Sequence, residues 1–366
     1  MTTNSDNNVS LYIHVPFCVK KCAYCAFFSA PCASEAQKDE YVSALSRRIS
    51  SLPKLKAQTV YFGGGTPTVL GAKRLSDLLD AVLKYAYVAP DAEITLEANP
   101  GTVDAKDFKT LAAAGFNRLS LGMQSADDGT LALLGRIHTN REFLRCYDSA
   151  RRYFGNISLD MIFALPGSGF EKTLEQIFAC APEHVSAYSL ILEEGTPLFD
   201  RRFSLRFPDE DEEERQYDAI CEAAVKKGYK HYEISSFALP GRESRHNRVY
   251  WERGEYVGLG PAAHSFYQNK RFSVPSDTNL FIKNSSLPFL GDTDFARAAE
   301  ITPEEAEEER IMLGLRLADG VVIPPEKIAA AREIVSAGYG TLNGSVFALN
   351  ERGFRISNEI IARILR

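Results

Sequence analysis

No uninterrupted apolar run in this sequence approaches the roughly 18 residues of a membrane span, which argues against a transmembrane helix. Positive charge is not in excess either: 42 Lys and Arg stand against 48 Asp and Glu, a net charge of −6. That balance excludes a mainly electrostatic nucleic-acid binder and a polybasic anchor, leaving at most peripheral membrane contact through a local patch. The chain does not open on a basic stretch followed by an apolar one, so no signal peptide is expected and the expected location is the cytoplasm. Residues 1–8 are polar and are expected to be disordered. Repeats of fixed period, low-complexity tracts and long Pro/Ser linkers are absent. An even cysteine framework is lacking too: of seven cysteines, four fall between positions 18 and 32 and the rest are scattered, unlike a secreted disulfide scaffold. What remains is ordinary globular composition, 45% hydrophobic and 25% charged over 366 residues, enough for one large or two to three domains.

Short β-branched or aromatic runs recur at Ser10–Val15, Thr59–Phe62, Glu93–Leu96, Arg118–Leu121, Ile157–Phe163 and His184–Leu192. Stretches with helical spacing separate them, among them Ser34–Ser50, Ala72–Tyr85 and Ala105–Ala114. This alternation predicts βα units and a parallel sheet. Polar groups stand at the strand ends: the cysteines after the first, Gly63 to Pro67 after the second, then Glu97, Gln124, Asp160 and Ser189. Spacings from Gly65 through these residues are 32, 27, 36 and 29, about one βα unit each, and the C-terminal rim is where such barrels keep their chemistry. Six units predict an open, incomplete barrel over residues 9–235. A Gly/Pro/Arg-rich connecting segment follows over 236–294. Thr302 with Glu305 reads as a capping box, and Asn343-Gly344 as a hairpin turn, so 295–366 is expected to be a small helical and winged domain.

Cys18, Cys22 and Cys25 form CxxxCxxC in a loop between a strand and a helix. Three thiolates so spaced can grip one face of a [4Fe-4S] cube and leave the fourth iron open. A structural zinc site with Cys32 as fourth ligand is the alternative, although zinc favours closed sets built from paired CxxC arms. Cys146, Cys180 and Cys221 lie in helical stretches as small apolar residues. No other cysteine pair has ligand spacing, so a second cluster is not expected.

The segment Tyr12 to Phe27 resembles the radical S-adenosylmethionine (SAM) superfamily. The likeness continues through GGGTP (63–67), Glu97 to Pro100, Arg118 to Ser125, Leu134 to His138, Asp160 to Gly167 and Tyr232 to Phe237. Together these resemble the family that joins oxygen-independent coproporphyrinogen III oxidases to the HemW-like heme chaperones. The resemblance implies that Gly64, Gly65 and Thr66 meet the amino-acid end of SAM, that Glu97, Gln124, Arg136 and Asp160 hold its polar groups, and that Tyr12 and Tyr24 line the cluster and adenine.

Two features point to the heme-chaperone branch. The oxidase pattern CxxxCxxCxC has a fourth cysteine where this sequence has Phe27, and His246 to Trp251 match HNxxYW. The resemblance therefore implies a heme carrier that binds [4Fe-4S], SAM and heme and passes heme to an acceptor protein not identified by the sequence. His246 is the candidate iron ligand, Tyr250 and Trp251 the flat surface for a porphyrin, and His264 a lesser candidate. His14, just before the cysteines, is expected to be structural. The alternative function is oxidative decarboxylation of coproporphyrinogen III; a homodimer is left open.

Overall fold

The computed structural model describes residues 8–31, 33–167 and 169–366; residues 1–7, Cys32 and Ser168 lie outside the described residues. The strands run β1 (Asn8–Val15), β2 (Phe17–Cys18), β3 (Ala30–Pro31), β4 (Lys56–Gly64), β5 (Tyr87–Ala98), β6 (Arg118–Gln124), β7 (Ile157–Phe163), β8 (His184–Ser189), β9 (Lys230–Glu233), β10 (Ser236–Ala238), β11 (Tyr256–Leu259), β12 (His264–Tyr267), β13 (Lys270–Ser273), β14 (Val321–Val322), β15 (Gly340–Asn343) and β16 (Val346–Leu349). Eleven of them form one sheet in the order β13-β12-β11-β1-β4-β5-β6-β7-β8-β10-β9. The end strands β13 and β9 do not pair with each other, so the barrel is open as expected.

From β11 to β8 the pairing is parallel, with antiparallel strands added at both edges. Parallel strands are covered on both faces and therefore read as nearly continuous apolar runs. In β6 and β7 every residue is buried except Gln124, the last of β6, and Asp160, at the centre of β7. Helices Glu35–Ser50, Ala72–Tyr85 and Ala105–Ala114 cover the outside, each burying one stripe. Capping boxes Ser34/Gln37 and Asp104/Asp107 start two of them, satisfying amide groups that have no partner inside the helix.

The stretch 236–294 contributes β10 to one edge and β11, β12 and β13 to the other. Thus β11 is a seventh parallel strand, beside β1, supplied from late in the chain. The C-terminal unit has its own core of Ile311, Leu315, Val321, Phe347, Leu349, Phe354, Ile360 and Ile364. It is built on a three-stranded antiparallel sheet, β14-β16-β15, with helices Pro303–Gly314, Ile328–Ser336 and Ser357–Leu365. Backbone bonds Ile234 N to Arg316 O (2.9 Å) and Ala318 N to Tyr232 O (3.0 Å) dock it beside β9.

Candidate functional site

The C-terminal ends of the parallel strands open into one cavity of about 1260 Å³, larger than the roughly 300–1,000 Å³ of a typical small-ligand pocket. Its near wall is the cysteine loop, its floor the strand ends and its far wall the segment Phe354 to Glu359 of the C-terminal unit. Cys18, Cys22 and Cys25 border it, half-buried and in the free thiol form.

The loop carrying them is held at several points. Ala23 N donates to Leu134 O, and Leu198 N to Ala23 O, both at 2.8 Å. His14 accepts from the Tyr12 hydroxyl at Nδ1 and donates from Nε2 to the Phe28 carbonyl, each at 3.1 Å. Burial lowers the pKa of His14, which suits this neutral, bracing role.

Gly63 to Pro67 run directly beneath the loop. Gly65 N donates to Val15 O at 2.8 Å and Thr66 N to Phe17 O at 2.7 Å, tying the glycine turn to the residues just before Cys18. A Cβ on Gly65 would lie 2.6 Å from the Phe17 carbonyl oxygen, so only glycine lets these backbones approach.

A chain of side-chain contacts joins two cysteines through three polar residues. Cys18 Sγ lies 3.7 Å from Thr66 Oγ1, which accepts from Asn99 Nδ2 at 2.8 Å. Asn99 Oδ1 accepts from Arg136, which also donates to Gly122 O at 2.8 Å and to Cys22 Sγ at 3.6 Å. Arg136 is thereby fixed with its cationic fork beside Cys22.

Farther along the rim, Glu97 accepts from the Tyr61 hydroxyl at 2.7 Å and from Gly64 N at 3.2 Å. Burial, with a smaller contribution from Asp160, pushes its carboxyl up to about 7 despite those bonds. Asp160 accepts from Ser120 Oγ at 3.0 Å and is likewise raised, chiefly by burial. Gln124 ends β6 with φ 63°, a left-handed conformation unusual outside glycine and characteristic of strained functional positions. The Nε atoms of Arg118 and Arg136 are buried without a hydrogen-bond partner. Two carboxyls with raised pKa values and two incompletely paired guanidinium groups make a wall suited to a zwitterionic, hydroxyl-bearing ligand, and the three free thiols beside it suit an iron-sulfur cluster.

His246 lies deeper, 1% exposed and stacked on Tyr61 with ring centroids 4.9 Å apart. Thr59 donates its hydroxyl to Ser10, so its oxygen accepts from His246 Nδ1 at 2.7 Å; Nε2 then accepts from the Tyr250 hydroxyl at 2.8 Å. Burial, then the charge of Arg118, lowers the imidazole to about 3, leaving it neutral at physiological pH. Glu93 accepts from His246 N and Arg245 N at 3.0 and 3.1 Å, placing negative charge at the start of helix Arg245–Trp251.

The structure therefore brings Tyr12, Tyr24, Gly64, Gly65, Thr66, Glu97, Gln124, Arg136, Asp160, His246 and Tyr250 to one cavity with the three cysteines. Trp251 is not among the cavity-lining residues. Its indole lies against the Glu233 carboxyl and Arg316 lies over its ring at 5.6 Å, linking the sheet edge to the C-terminal unit. His264 is exposed at the start of β12. Tyr61, Asn99 and Arg118 line the cavity without having been assigned a role from the sequence. Asn99 and Arg118 stood inside the family-like segments, whereas Tyr61 carried no signal beyond its place in an apolar run.

The Radical SAM superfamily model matches residues 12–178. The chain is 33% identical over 377 residues to the heme chaperone HemW of Lactococcus lactis, covering 97% of each. It is 37% identical over 330 residues to the heme chaperone HemW of Synechocystis, covering 85% of this chain and 78% of that protein. The chain belongs to the HemW family of radical SAM proteins. Animal relatives are similar too: the mitochondrial radical S-adenosyl methionine domain-containing protein 1 of Danio rerio is 32% identical, covering 96% of this chain and 84% of that one. Among solved structures, coproporphyrinogen III oxidase from Escherichia coli superposes with TM-score 0.83 over 98% of this chain and 90% of its own at 19% identity. At that identity the likeness is one of fold. Among the described residues, no helix is long and apolar enough to cross a membrane.

Proposed function

We propose that this chain is a cytoplasmic radical-SAM-type heme chaperone, which holds a [4Fe-4S] cluster on Cys18, Cys22 and Cys25, binds SAM beside it, and carries heme to an acceptor protein. One observation carries the reading: three thiols stand on the cavity wall, while the fourth position of the oxidase pattern is Phe27, lining the same cavity and 71% exposed. When bound, a cluster with SAM supplies one-electron chemistry. The chain's own residues do the holding. Gly64 and Gly65 offer a close backbone approach, Arg136 balances thiolate charge, and Glu97, Gln124 and Asp160 take the polar groups of SAM.

Residues 9–235 carry the cluster and SAM in this reading, 236–294 bring His246 and Tyr250, and 295–366 close the cavity. Phe27, Tyr188 and Ile191 offer apolar surface there to a flat macrocycle, being 71%, 45% and 70% exposed. His246 is oriented as a metal-ligating imidazole is, with one nitrogen donating and the other presenting its lone pair. That lone pair takes the Tyr250 hydroxyl, so ligation of heme iron requires Tyr250 to turn away.

Hemin titration of the cluster-reconstituted chain, followed in the Soret region, tests the reading. One heme per chain is expected, with a Soret band that shifts in His246→Ala and persists in Tyr250→Phe. The absence of saturable heme binding would contradict the carrier; an unchanged spectrum and affinity in His246→Ala would remove that residue as ligand.

A further inference from the structure

Behind the cavity's far wall, three elements meet at side chains of three donor types. Cys221 comes from helix Glu210–Lys226, His231 from β9 and Glu351 from the first turn of helix Glu351–Arg355. One ligand atom from each lies within 4.8 Å of the other two. Cys221 is buried, His231 half-buried and Glu351 exposed, so the group has a closed end and an open one.

The imidazole of His231 has one ring nitrogen that its hydrogen bonds leave unused. Its ring stacks on Phe237 at 4.3 Å and sits 5.0 Å from the Phe354 ring. Nε2 faces the Ile234 carbonyl at 3.4 Å, whereas Nδ1 is buried without a hydrogen-bond partner. A donor to a backbone carbonyl on one nitrogen and an unused lone pair on the other is how proteins set a histidine to bind metal. Tyr217, one turn before Cys221, adds a buried phenol oxygen beside the Cys221 thiol.

We propose that Cys221, His231 and Glu351 form a zinc site distinct from the cluster-binding cysteines. One thiolate, one imidazole and one carboxylate suit Zn²⁺, with metal–ligand distances of about 2.0–2.3 Å and a fourth position for water or the Tyr217 oxygen. Binding forms the Zn–S bond as the Cys221 thiol gives its proton to solvent, and the resulting thiolate and Glu351 carboxylate together balance the two positive charges of the ion. Exposed Glu351 closes last, from the solvent side. Because Phe354 and Arg355 on the same short helix line the large cavity, the ion ties that wall to β9 and helix Glu210–Lys226.

The test uses the full chain and its Cys221→Ser and Glu351→Gln variants, titrated with Zn²⁺ against a chromophoric chelator, with zinc per chain counted by mass spectrometry and thermal unfolding followed in parallel. The wild-type chain is expected to hold one more zinc than Cys221→Ser. Glu351→Gln, a change at an exposed residue that leaves the fold in place, is expected to bind at least about tenfold more weakly, and zinc should raise the melting temperature of the wild type more than that of this variant. Equal zinc uptake by the wild type and both variants would overturn the site. So would a wild-type chain and Glu351→Gln with the same affinity and the same zinc-induced rise in melting temperature.

Discussion

Replacing Gly65 by alanine probes the junction on which the cysteine loop rests. The new Cβ would stand 2.6 Å from the Phe17 carbonyl oxygen and 3.0 Å from those of the Phe17 carbonyl carbon and Val15 carbonyl oxygen, all main-chain atoms. Restoring ordinary contact at about 3.4 Å requires the two segments to part by roughly 0.8 Å. The hydrogen bonds that join them, 2.8 Å from Gly65 N and 2.7 Å from Thr66 N, then stretch to about 3.5 Å, beyond useful length. Overpacking and two weakened buried bonds together are expected to cost about 2–5 kcal/mol, and Cys18 moves with Phe17. Denaturant unfolding should show the loss of stability, and iron and sulfide analysis after reconstitution should show less than half the wild-type cluster. Gly155→Ala is the control: its Cβ would meet nothing within 4 Å, and its effect should stay within about 0.5 kcal/mol. Wild-type stability and iron content in Gly65→Ala would refute the close-approach reasoning.

Three further outcomes follow from the geometry. Cys18→Ala, Cys22→Ala and Cys25→Ala should each lose the brown chromophore and most of the iron; a variant that keeps both would remove that cysteine as a ligand. Glu97 is raised by burial from 4.5 to about 7, so the folded state holds a proton that the unfolded state releases: this stabilisation is full below about pH 4.5 and is lost as pH rises through 7. Glu97→Gln should flatten stability between pH 5 and 8, and an unchanged slope of unfolding free energy against pH there would contradict the assignment. Arg48 and Asp292 form a buried ion pair at 2.7 Å, and Arg48 also donates to the carbonyls of Asn284 and Leu287, each at 3.0 Å. Breaking it with Arg48→Ala should cost about 3–5 kcal/mol; a loss below 1 kcal/mol on denaturant unfolding would mean the pair is not held as described.

Much of the sheet was legible because parallel strands buried on both faces leave dense apolar runs, and the six between Ser10 and Ser189 are separated by amphipathic helices. The edge strands were not. Tyr256 to Phe266 reads as an apolar, glycine-containing stretch, and nothing local shows that it turns into β11 and β12 and pairs beside β1. Such pairing depends on contacts between residues some 240 positions apart, which periodicity does not report. The rim residues were legible from motif order, whereas Tyr61 and the Phe354–Glu359 wall enter through tertiary contact alone. Trp251 shows where a motif misleads: His246 and Tyr250, four apart, share a helix face toward the cavity, while the next residue turns about 100° away, to Glu233 and Arg316. Cys221, His231 and Glu351 lie too far apart in sequence for spacing to reveal them.

An anaerobic turnover assay tests the central claim most directly, using reconstituted chain, SAM, a low-potential reductant and coproporphyrinogen III, with tetrapyrrole products read by mass spectrometry. A heme carrier with Phe27 in place of a fourth cysteine is predicted to return coproporphyrinogen III undecarboxylated from a preparation that carries full iron and binds one heme per chain. Catalytic formation of protoporphyrinogen IX from that same preparation would contradict the account and make the chain an oxidase.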